Sequence, residues 1–202
     1  MPPEPRQARA IETRAAILQA GSEEFAERGY AGAKVADIAG RAGLTLGALY
    51  FHFRSKADLA RAIVLAQPNR VARPEGATGL QRVVSLTTGW ARQLQDDVVL
   101  LAGARLVMEQ DLFAGSQENS HTQWIMIIEE DLSSAHKAGE LYDHVDIHAL
   151  ARLIVNACTG AQMQAQLETD RRDLPARVAE MWHCLLPAIV PPEVAATVDL
   201  GA

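Results

Sequence analysis

Apolar residues recur every three or four positions along almost the whole 202-residue chain, which is the spacing of amphipathic helices, and strand signals are nearly absent. The pattern predicts an all-α protein with about nine helices. Four short helices come first, and their limits are marked by Gly29, by Thr45 as an N-cap, and by Ser55 with Asp58 as a capping box. A break in the pattern follows at Pro68, Pro74, Gly76 and Gly79.

This break at 68–79 is a candidate boundary between a small head and a larger body of five further helices. Pro175 is well placed as the first residue of the last helix. The body is predicted to contain a loop over 110–120, helices at about 147–168 and 175–189, and a frayed tail over 190–202.

The head contains a helix-turn-helix pattern between Val35 and Phe53, in the sequence VADIAGRAGLTLGALYFHF. Gly43 suits the turn because glycine adopts a positive φ without steric cost. In this motif the second helix lies in the DNA major groove and its N-terminal residues face the bases. The spacing is also typical of ordinary short helices over a buried aromatic cluster of Tyr50, Phe51 and Phe53.

Candidate DNA contacts follow from the side chains of this segment. Gly47 and Ala48 are small enough for the backbone to approach DNA, and Tyr50 and His52 have polar tips that can reach a phosphate. Lys56 lies in the first turn of the next helix, where backbone N–H groups already favour an anion. The candidate DNA-binding set is Lys34, Thr45, Leu46, Gly47, Ala48, Tyr50, His52 and Lys56.

Charge is distributed unevenly along the chain. The net charge is −6, but residues 1–70 carry ten basic and seven acidic side chains, whereas the remaining 132 residues carry nine and 18. A basic head on an acidic body fits a protein of which only one part meets phosphates, although such an imbalance also arises by chance.

Composition argues against several other classes of protein. The chain is 49% hydrophobic and 22% charged, and its longest apolar run is far shorter than the roughly 18 residues of a membrane span. Its N-terminus lacks the apolar stretch of a signal peptide, and Cys158 and Cys184 form no CxxC pair. We therefore expect a cytoplasmic protein without membrane contact, with both cysteines as small core residues.

Catalytic and metal-binding motifs are missing as well. The sequence has no GxSxG, no HExxH and no GxGxxG motif after a strand, so we do not expect an enzyme. His144 and His148 are four residues apart, but no third ligand is suitably spaced. We expect no metal and no cofactor.

Residues 13–59 contain a set of residue types whose combination and spacing are highly specific: Thr13, Arg14, Ile17, Leu18, Phe25, Gly29, Tyr30, Asp37, Ile38, Ala39, Ala42, Gly43, Gly47, Leu49, Tyr50, His52, Phe53, Lys56 and Leu59. This segment, a quarter of the chain, resembles the DNA-binding head of the tetracycline-repressor (TetR) family. The resemblance implies a homodimeric repressor whose head binds a double-stranded DNA operator. It also implies a body that binds a small molecule, which releases the operator. By role, we predict a DNA-binding domain of three helices over 1–54 and a ligand-binding and dimerisation domain over 55–202.

Two positions depart from the family pattern. Position 33 is usually Ser or Thr and position 46 is often Lys, where this chain has Ala33 and Leu46. Two expectations stay open: a lower DNA affinity, or an apolar base contact from Leu46, such as with a thymine methyl group.

A second resemblance, to the γ-butyrolactone autoregulator receptors of streptomycetes, is carried by TLGALYFHF at 45–53, residues 102–106, Trp124 and residues 179–182. It implies a lactone pocket, for which the candidate residues are Trp124, Thr159, Gln67, Trp90, Met108 and Val155. The segment QENSHTQ before Trp124 departs from the subgroup. A pseudo-receptor that responds to an antibiotic or another hydrophobic compound therefore stays open.

The residues themselves leave plainer roles open. Trp90, Trp124 and Trp182 fit core positions, Thr159 fits a bond to the carbonyl four residues earlier, and Gln67 fits a helix end. A helical adaptor without specific DNA binding is a further alternative. The last two helices are expected to form a four-helix bundle between two copies, through Ala157, Ala161, Val178, Trp182 and Leu185.

Overall fold

The structure, a computed structural model, describes residues 5–72, 76–113 and 120–201. These residues form ten α-helices and no strand, which confirms the all-α prediction. Within them, no helix is both long and apolar enough to cross a bilayer. The helices are α1 (Pro5–Gly32), α2 (Val35–Arg41), α3 (Leu46–His52), α4 (Lys56–Arg70), α5 (Gly79–Gln93), α6 (Val98–Val107), α7 (Ser120–Lys137), α8 (Ile147–Thr169), α9 (Leu174–Ile189) and α10 (Pro192–Ala195).

The chain folds into two compact units. The first consists of residues 1–70 and 97–120, and the second of residues 71–96 and 121–202. The first unit therefore contains α1 to α4 and α6, and the second contains α5 and α7 to α10. The predicted division into 1–54 and 55–202 divides the chain by role, DNA binding against ligand binding and dimerisation, and not by how the helices pack. It stays a prediction.

The core of the first unit is formed where α1, α4 and α6 pack together. Phe25, Leu59 and Leu106 have no exposed surface, and each comes from one of these helices. Ile38 of α2 and Leu49 of α3 are equally buried and join the same core. Burying a side chain of this size stabilises a fold by about 1.5–3 kcal/mol, so this core holds the two short helices in place.

The core of the second unit includes Trp182 of α9, which is completely buried. Its indole Nε1 donates a hydrogen bond to Thr87 Oγ1 of α5 at 2.8 Å. The Thr87 hydroxyl lies 3.1 Å from the Val83 carbonyl and 3.0 Å from the Val84 carbonyl. The indole is therefore buried with its one donor satisfied, as a buried tryptophan requires.

Helix α4 continues through Pro68, where the sequence pattern predicts a break. A proline in a helix removes the hydrogen bond to the carbonyl four residues earlier, which here belongs to Val64. The side-chain Nε2 of Gln67 donates to that carbonyl at 3.2 Å. The neighbouring glutamine thus replaces the missing backbone donor, and the helix ends only at Arg70.

The C-terminal tail also differs from the prediction of a frayed end. The backbone N–H of Asp199 donates to the Gln81 side chain at 2.8 Å, and Gln81 Nε2 donates to the Asp199 carbonyl at 2.9 Å. These paired bonds hold the tail against α5. The tail is thus ordered by Gln81, a side chain more than a hundred residues earlier in the chain. The local sequence pattern of the tail cannot reveal such a contact.

The predictions for the 110–120 loop and for the two cysteines have different outcomes. The predicted loop over 110–120 begins with a 3-10 turn at Gln110–Leu112, and its residues 114–119 lie outside the described part of the chain. Cys158 is buried as predicted, and burial raises the pKa of its thiol to about 12. The prediction for Cys184 is wrong, because its side chain is exposed on α9.

Candidate nucleic-acid interface and ligand site

Helices α2 and α3 form a helix-turn-helix in the first unit. Gly43 makes the turn with a φ of 66°, and the Leu44 N–H closes it by donating to the Ala39 carbonyl at 2.9 Å. Thr45 then caps α3, because its Oγ1 accepts a hydrogen bond from the Ala48 N–H at 3.2 Å. These local signals and the buried Ile38 and Leu49 fix the two helices.

One side of α3 is open to solvent. Leu46 is 45% exposed, Tyr50 is 43% exposed and Phe51 is 85% exposed. Gly47 is also exposed, and a Cβ added there would have no described atom within 4 Å. We call Leu46, Gly47, Tyr50 and Phe51 the recognition face. Only Phe53 of the aromatic trio is buried, so the alternative of a buried cluster is wrong for Tyr50 and Phe51.

The other predicted DNA contacts surround this face. Lys34, the residue before α2, is exposed, and so is Thr45, the residue before α3. Ala48 is half-buried. His52 is half-buried too, and its ring meets the Phe51 ring edge-on with centroids 5.4 Å apart.

Lys56 has an internal role in the structure. Its Nζ donates to the carbonyls of Tyr30 at 2.7 Å and Ala33 at 3.0 Å, and it lies 4.5 Å from the centroid of the Tyr30 ring. The methyl group of Ala33 is buried. Lys56 therefore fixes the chain between α1 and α2 in the free protein, and a phosphate contact would compete with these carbonyls.

Helix α1 is kinked at Gly29, whose φ of 68° and ψ of 179° interrupt the helix. Arg105 of α6 donates to the carbonyls of Ala26 at 2.8 Å and Glu27 at 3.0 Å, just before the kink. Glu109 accepts from the Tyr30 N–H at 2.9 Å, just after it. Arg105 of α6 and Glu109, two residues beyond its end, thus supply partners to backbone groups that the kink leaves without helical ones.

The candidate ligand residues of the second unit lie on α5, α7 and α8. The hydroxyl of Thr159 donates to the Val155 carbonyl at 2.9 Å, the bond expected of a threonine within a helix. His121 Nε2 lies 3.1 Å from the same hydroxyl. Burial lowers the pKa of His121 below its ordinary 6.5.

The tryptophans of this unit differ in burial. Trp124 is half-buried, and it lies three residues after His121 on α7, so both project from one face of that helix. Trp90 of α5 is also half-buried. Only Trp182 has the fully buried position that a core role requires.

Gln67 and Met108 belong to the first unit. Gln67 is buried and packs against Gly103 of α6 so closely that a Cβ at position 103 would overlap its side chain. Its amide nitrogen is bonded to the Val64 carbonyl, so in this structure it supports α4. Met108 is exposed just after α6.

Comparison with known proteins identifies the fold. Residues 17–63 match the family described as bacterial regulatory proteins, tetR family, and residues 77–191 match that described as tetracyclin repressor-like, C-terminal domain. The A-factor receptor protein of Streptomyces griseus is 34% identical over 203 residues, covering 98% of this chain and 73% of that protein. This chain belongs to the TetR family.

Solved structures agree with this assignment. Full-length native TylP, a TetR regulator from Streptomyces fradiae, aligns with a TM-score of 0.87 and 33% identity over 96% of this chain and 93% of that one. A gamma-butyrolactone receptor described as ArpA-like aligns with a TM-score of 0.72 and 33% identity over 93% of each chain. The protein is thus a TetR-family DNA-binding repressor that resembles the γ-butyrolactone receptors, and its relatives are regulators rather than enzymes.

The predicted dimer residues of this TetR-family chain fall into two groups. Val178 and Trp182 are completely buried within the single chain, so their side chains have no surface left for a partner. Ala157, Ala161 and Leu185 are half-buried.

The two histidines considered as metal ligands have other contacts. His148 Nδ1 pairs with Glu129, and the His144 ring stacks on Tyr142 with centroids 5.4 Å apart. Across the described ranges, no three His, Cys, Asp or Glu side chains come together as a metal site.

Sequence reasoning missed three features of the site. Phe51 carries the largest exposed fraction on the recognition face, although it was assigned only to an aromatic cluster. His121 was detectable, because it lies one helical turn before Trp124. The contacts of Arg105 and Glu109 with α1 join residues about 80 positions apart in the chain, and local sequence gives no signal of them.

Proposed function

We propose that this protein is a homodimeric repressor that binds a palindromic operator and releases it when a γ-butyrolactone-type molecule binds the second unit. The observation that carries the proposal is the exposed recognition face on a capped α3, within a TetR-family chain. A relative named A-factor receptor and a structural neighbour described as a gamma-butyrolactone receptor support the ligand class.

The exposed side of α8 supports a dimer. Leu153 is 50% exposed and Leu167 is 85% exposed, and Gly160 lies midway between them, so the three are seven residues apart. A seven-residue apolar repeat is the pattern of a helix that packs along another helix. We propose that this stripe, together with Ala157 and Ala161, forms the centre of a four-helix interface with a second copy.

His121 and Trp124 of α7, together with Val155 and Thr159 of α8, support a ligand site. Trp124 offers an apolar ring and one N–H donor, which suits a lactone carbonyl. The Thr159 hydroxyl, the half-buried His121 and the neighbouring Val155 add a polar and an apolar surface on the same pair of helices. A small number of polar groups in an apolar setting is typical of small-molecule sites.

Calorimetry on the purified protein tests the ligand proposal. A panel of γ-butyrolactones is titrated into the wild type and into two site variants, Trp124→Phe and Thr159→Val. We expect both substitutions to weaken binding by about 1–2 kcal/mol each, since each removes one hydrogen bond. An exposed-threonine control, Thr197→Val, leaves affinity unchanged.

Two results would contradict the ligand proposal. One is the absence of heat with every lactone while the protein binds a hydrophobic antibiotic, which favours the pseudo-receptor. The other is lactone binding that is unaffected by both site variants, which moves the site away from α7 and α8.

A further inference from the structure

The recognition helix α3 has an unusual set of side chains. Its sequence is LGALYFH, which contains no Arg, Lys, Asn, Gln, Asp or Glu. Arginine and lysine read guanine, asparagine and glutamine read adenine, and acidic side chains read cytosine through hydrogen bonds in the major groove. Helix α3 therefore lacks the side chains that usually distinguish these three bases.

The recognition face is instead largely apolar. Leu46 is the first residue of α3, the end that faces the bases in a helix-turn-helix. Phe51 is four residues after Gly47, and no described atom lies within 4 Å of a Cβ built on that glycine. Leu46 and Phe51 thus border an open, largely apolar surface that also carries the hydroxyl of Tyr50.

Thymine is the one base that presents an apolar group in the major groove, the methyl group on C5. We infer that this protein reads its operator by packing Leu46 and Phe51 against thymine methyl groups, and that each half-site has thymine at the contacted positions. The inference rests on the proposed function, because it assumes that α3 meets a specific operator. It adds the kind of base that this helix selects.

Phosphate contacts contribute affinity without this selectivity. Lys34 before α2 and Arg54 after α3 are both exposed, and their charges attract any duplex. Removing the thymine methyl groups should therefore lower affinity without changing how affinity depends on salt.

The test begins with the 202-residue protein and a pool of random duplexes, from which bound sequences are selected. The Kd of a selected duplex is measured by fluorescence anisotropy at several salt concentrations. A matched duplex has every half-site thymine replaced by uracil, which removes the methyl group and keeps the base pairing. We expect affinity to fall about three- to fivefold for each methyl group in contact, with an unchanged salt slope.

Two leucine variants locate the contact. Leu46→Ala is expected to weaken binding to the thymine duplex and to reduce the loss caused by uracil. Leu112→Ala is the matched control, because Leu112 is 53% exposed in the first unit but lies outside α2 and α3. This control is expected to keep both the affinity and the uracil effect of the wild type.

The outcomes separate this inference from the proposed function. Selected duplexes without recurrent thymine, or a uracil duplex bound as tightly as the thymine duplex, would overturn methyl-group reading while specific binding still supports the repressor. A uracil effect that persists fully in Leu46→Ala would overturn the assignment to Leu46. Failure to enrich any sequence would contradict the proposed function itself.

Discussion

The side chain of Gln67 is fixed by its neighbours on two helices. It donates to the carbonyl that Pro68 leaves without a backbone donor, and it fills the space over Gly103. We predict that Gly103→Ala destabilises the protein by about 1–3 kcal/mol, because the added methyl group overlaps the Gln67 side chain. Urea unfolding followed by circular dichroism measures the loss.

The same substitution made in a Gln67→Ala variant tests this explanation. With the glutamine side chain removed, the loss in unfolding free energy caused by Gly103→Ala should be smaller by at least about 0.5 kcal/mol, as for residues in contact. Gly40→Ala is the control, because no described atom lies within 4 Å of its Cβ position. Equal penalties in both backgrounds would show that Gln67 is not the obstacle.

His121 is predicted to make stability depend on pH. Burial lowers its folded-state pKa below the ordinary 6.5, so the folded protein binds fewer protons than the unfolded chain. Its contribution is therefore complete above pH 6.5 and is lost as pH falls from 6.5 towards the folded-state pKa. We predict that lowering the pH from about 7.5 to 5.5 destabilises the wild type more than His121→Asn.

Histidine NMR resonances measure this pKa directly, with His183 as an exposed comparison on α9. A His121 titration at or above 6.5 would contradict the burial argument. So would an equal effect of pH on the wild type and on His121→Asn.

The kink in α1 is stabilised by side chains from a different helical segment of the first unit, in and just after α6. Arg105 of α6 and Glu109, two residues after α6, bond to the backbone on the two sides of the Gly29 kink, shortly before the chain enters α2. We predict that Glu109→Ala destabilises the protein by about 1–2 kcal/mol, because the Tyr30 N–H loses a charged acceptor. Faster amide exchange at Tyr30 and Ala31 locates the effect.

The exposed Glu12 of α1 provides the control for this variant. Glu12→Ala removes a charge of the same sign from the same unit without touching the kink. If Glu109→Ala matches this control in both stability and exchange, the kink does not depend on α6.

Most of these elements were predictable from local signals. Thr45 marked the start of α3, and the apolar spacing marked the helices themselves, because capping and periodicity act within a few residues. Pro175 marked the start of α9 to within one residue, since the helix begins at Leu174. The passage of α4 through Pro68 was not predictable, since it depends on a side-chain bond from Gln67.

The candidate site was predictable in part. The order and type of residues in α2 and α3 indicate a DNA-binding motif, but exposure decides which of them face outward, and Phe51 was missed for that reason. Val178 and Trp182 lie on an apolar stripe that suits a core as well as an interface. Only the tertiary structure shows that they are buried within one chain.

Assembly of the protein into the proposed dimer depends on the exposed side of α8. We predict that Leu167→Glu raises the dimer dissociation constant about 100-fold or more, because it places two carboxylates in an apolar interface. Sedimentation equilibrium measures the shift. Operator affinity should fall with it, since a palindrome requires two heads.

The matched control is Leu112→Glu, which adds the same charge at an exposed leucine of the first unit. It should remain dimeric. A Leu167→Glu protein that dimerises like the wild type would place the interface elsewhere.

The proposed repressor requires that a bound ligand releases the operator, and a single titration measures this release. A fluorescent operator is saturated with the protein at one stated salt concentration, and a γ-butyrolactone that binds the protein in calorimetry is added while anisotropy is recorded. Because a ligand shifts a population only by its different affinities for two states, we predict weaker lactone binding to the operator complex and a fall of anisotropy to that of free DNA. Anisotropy that stays high when the lactone is saturating would contradict it.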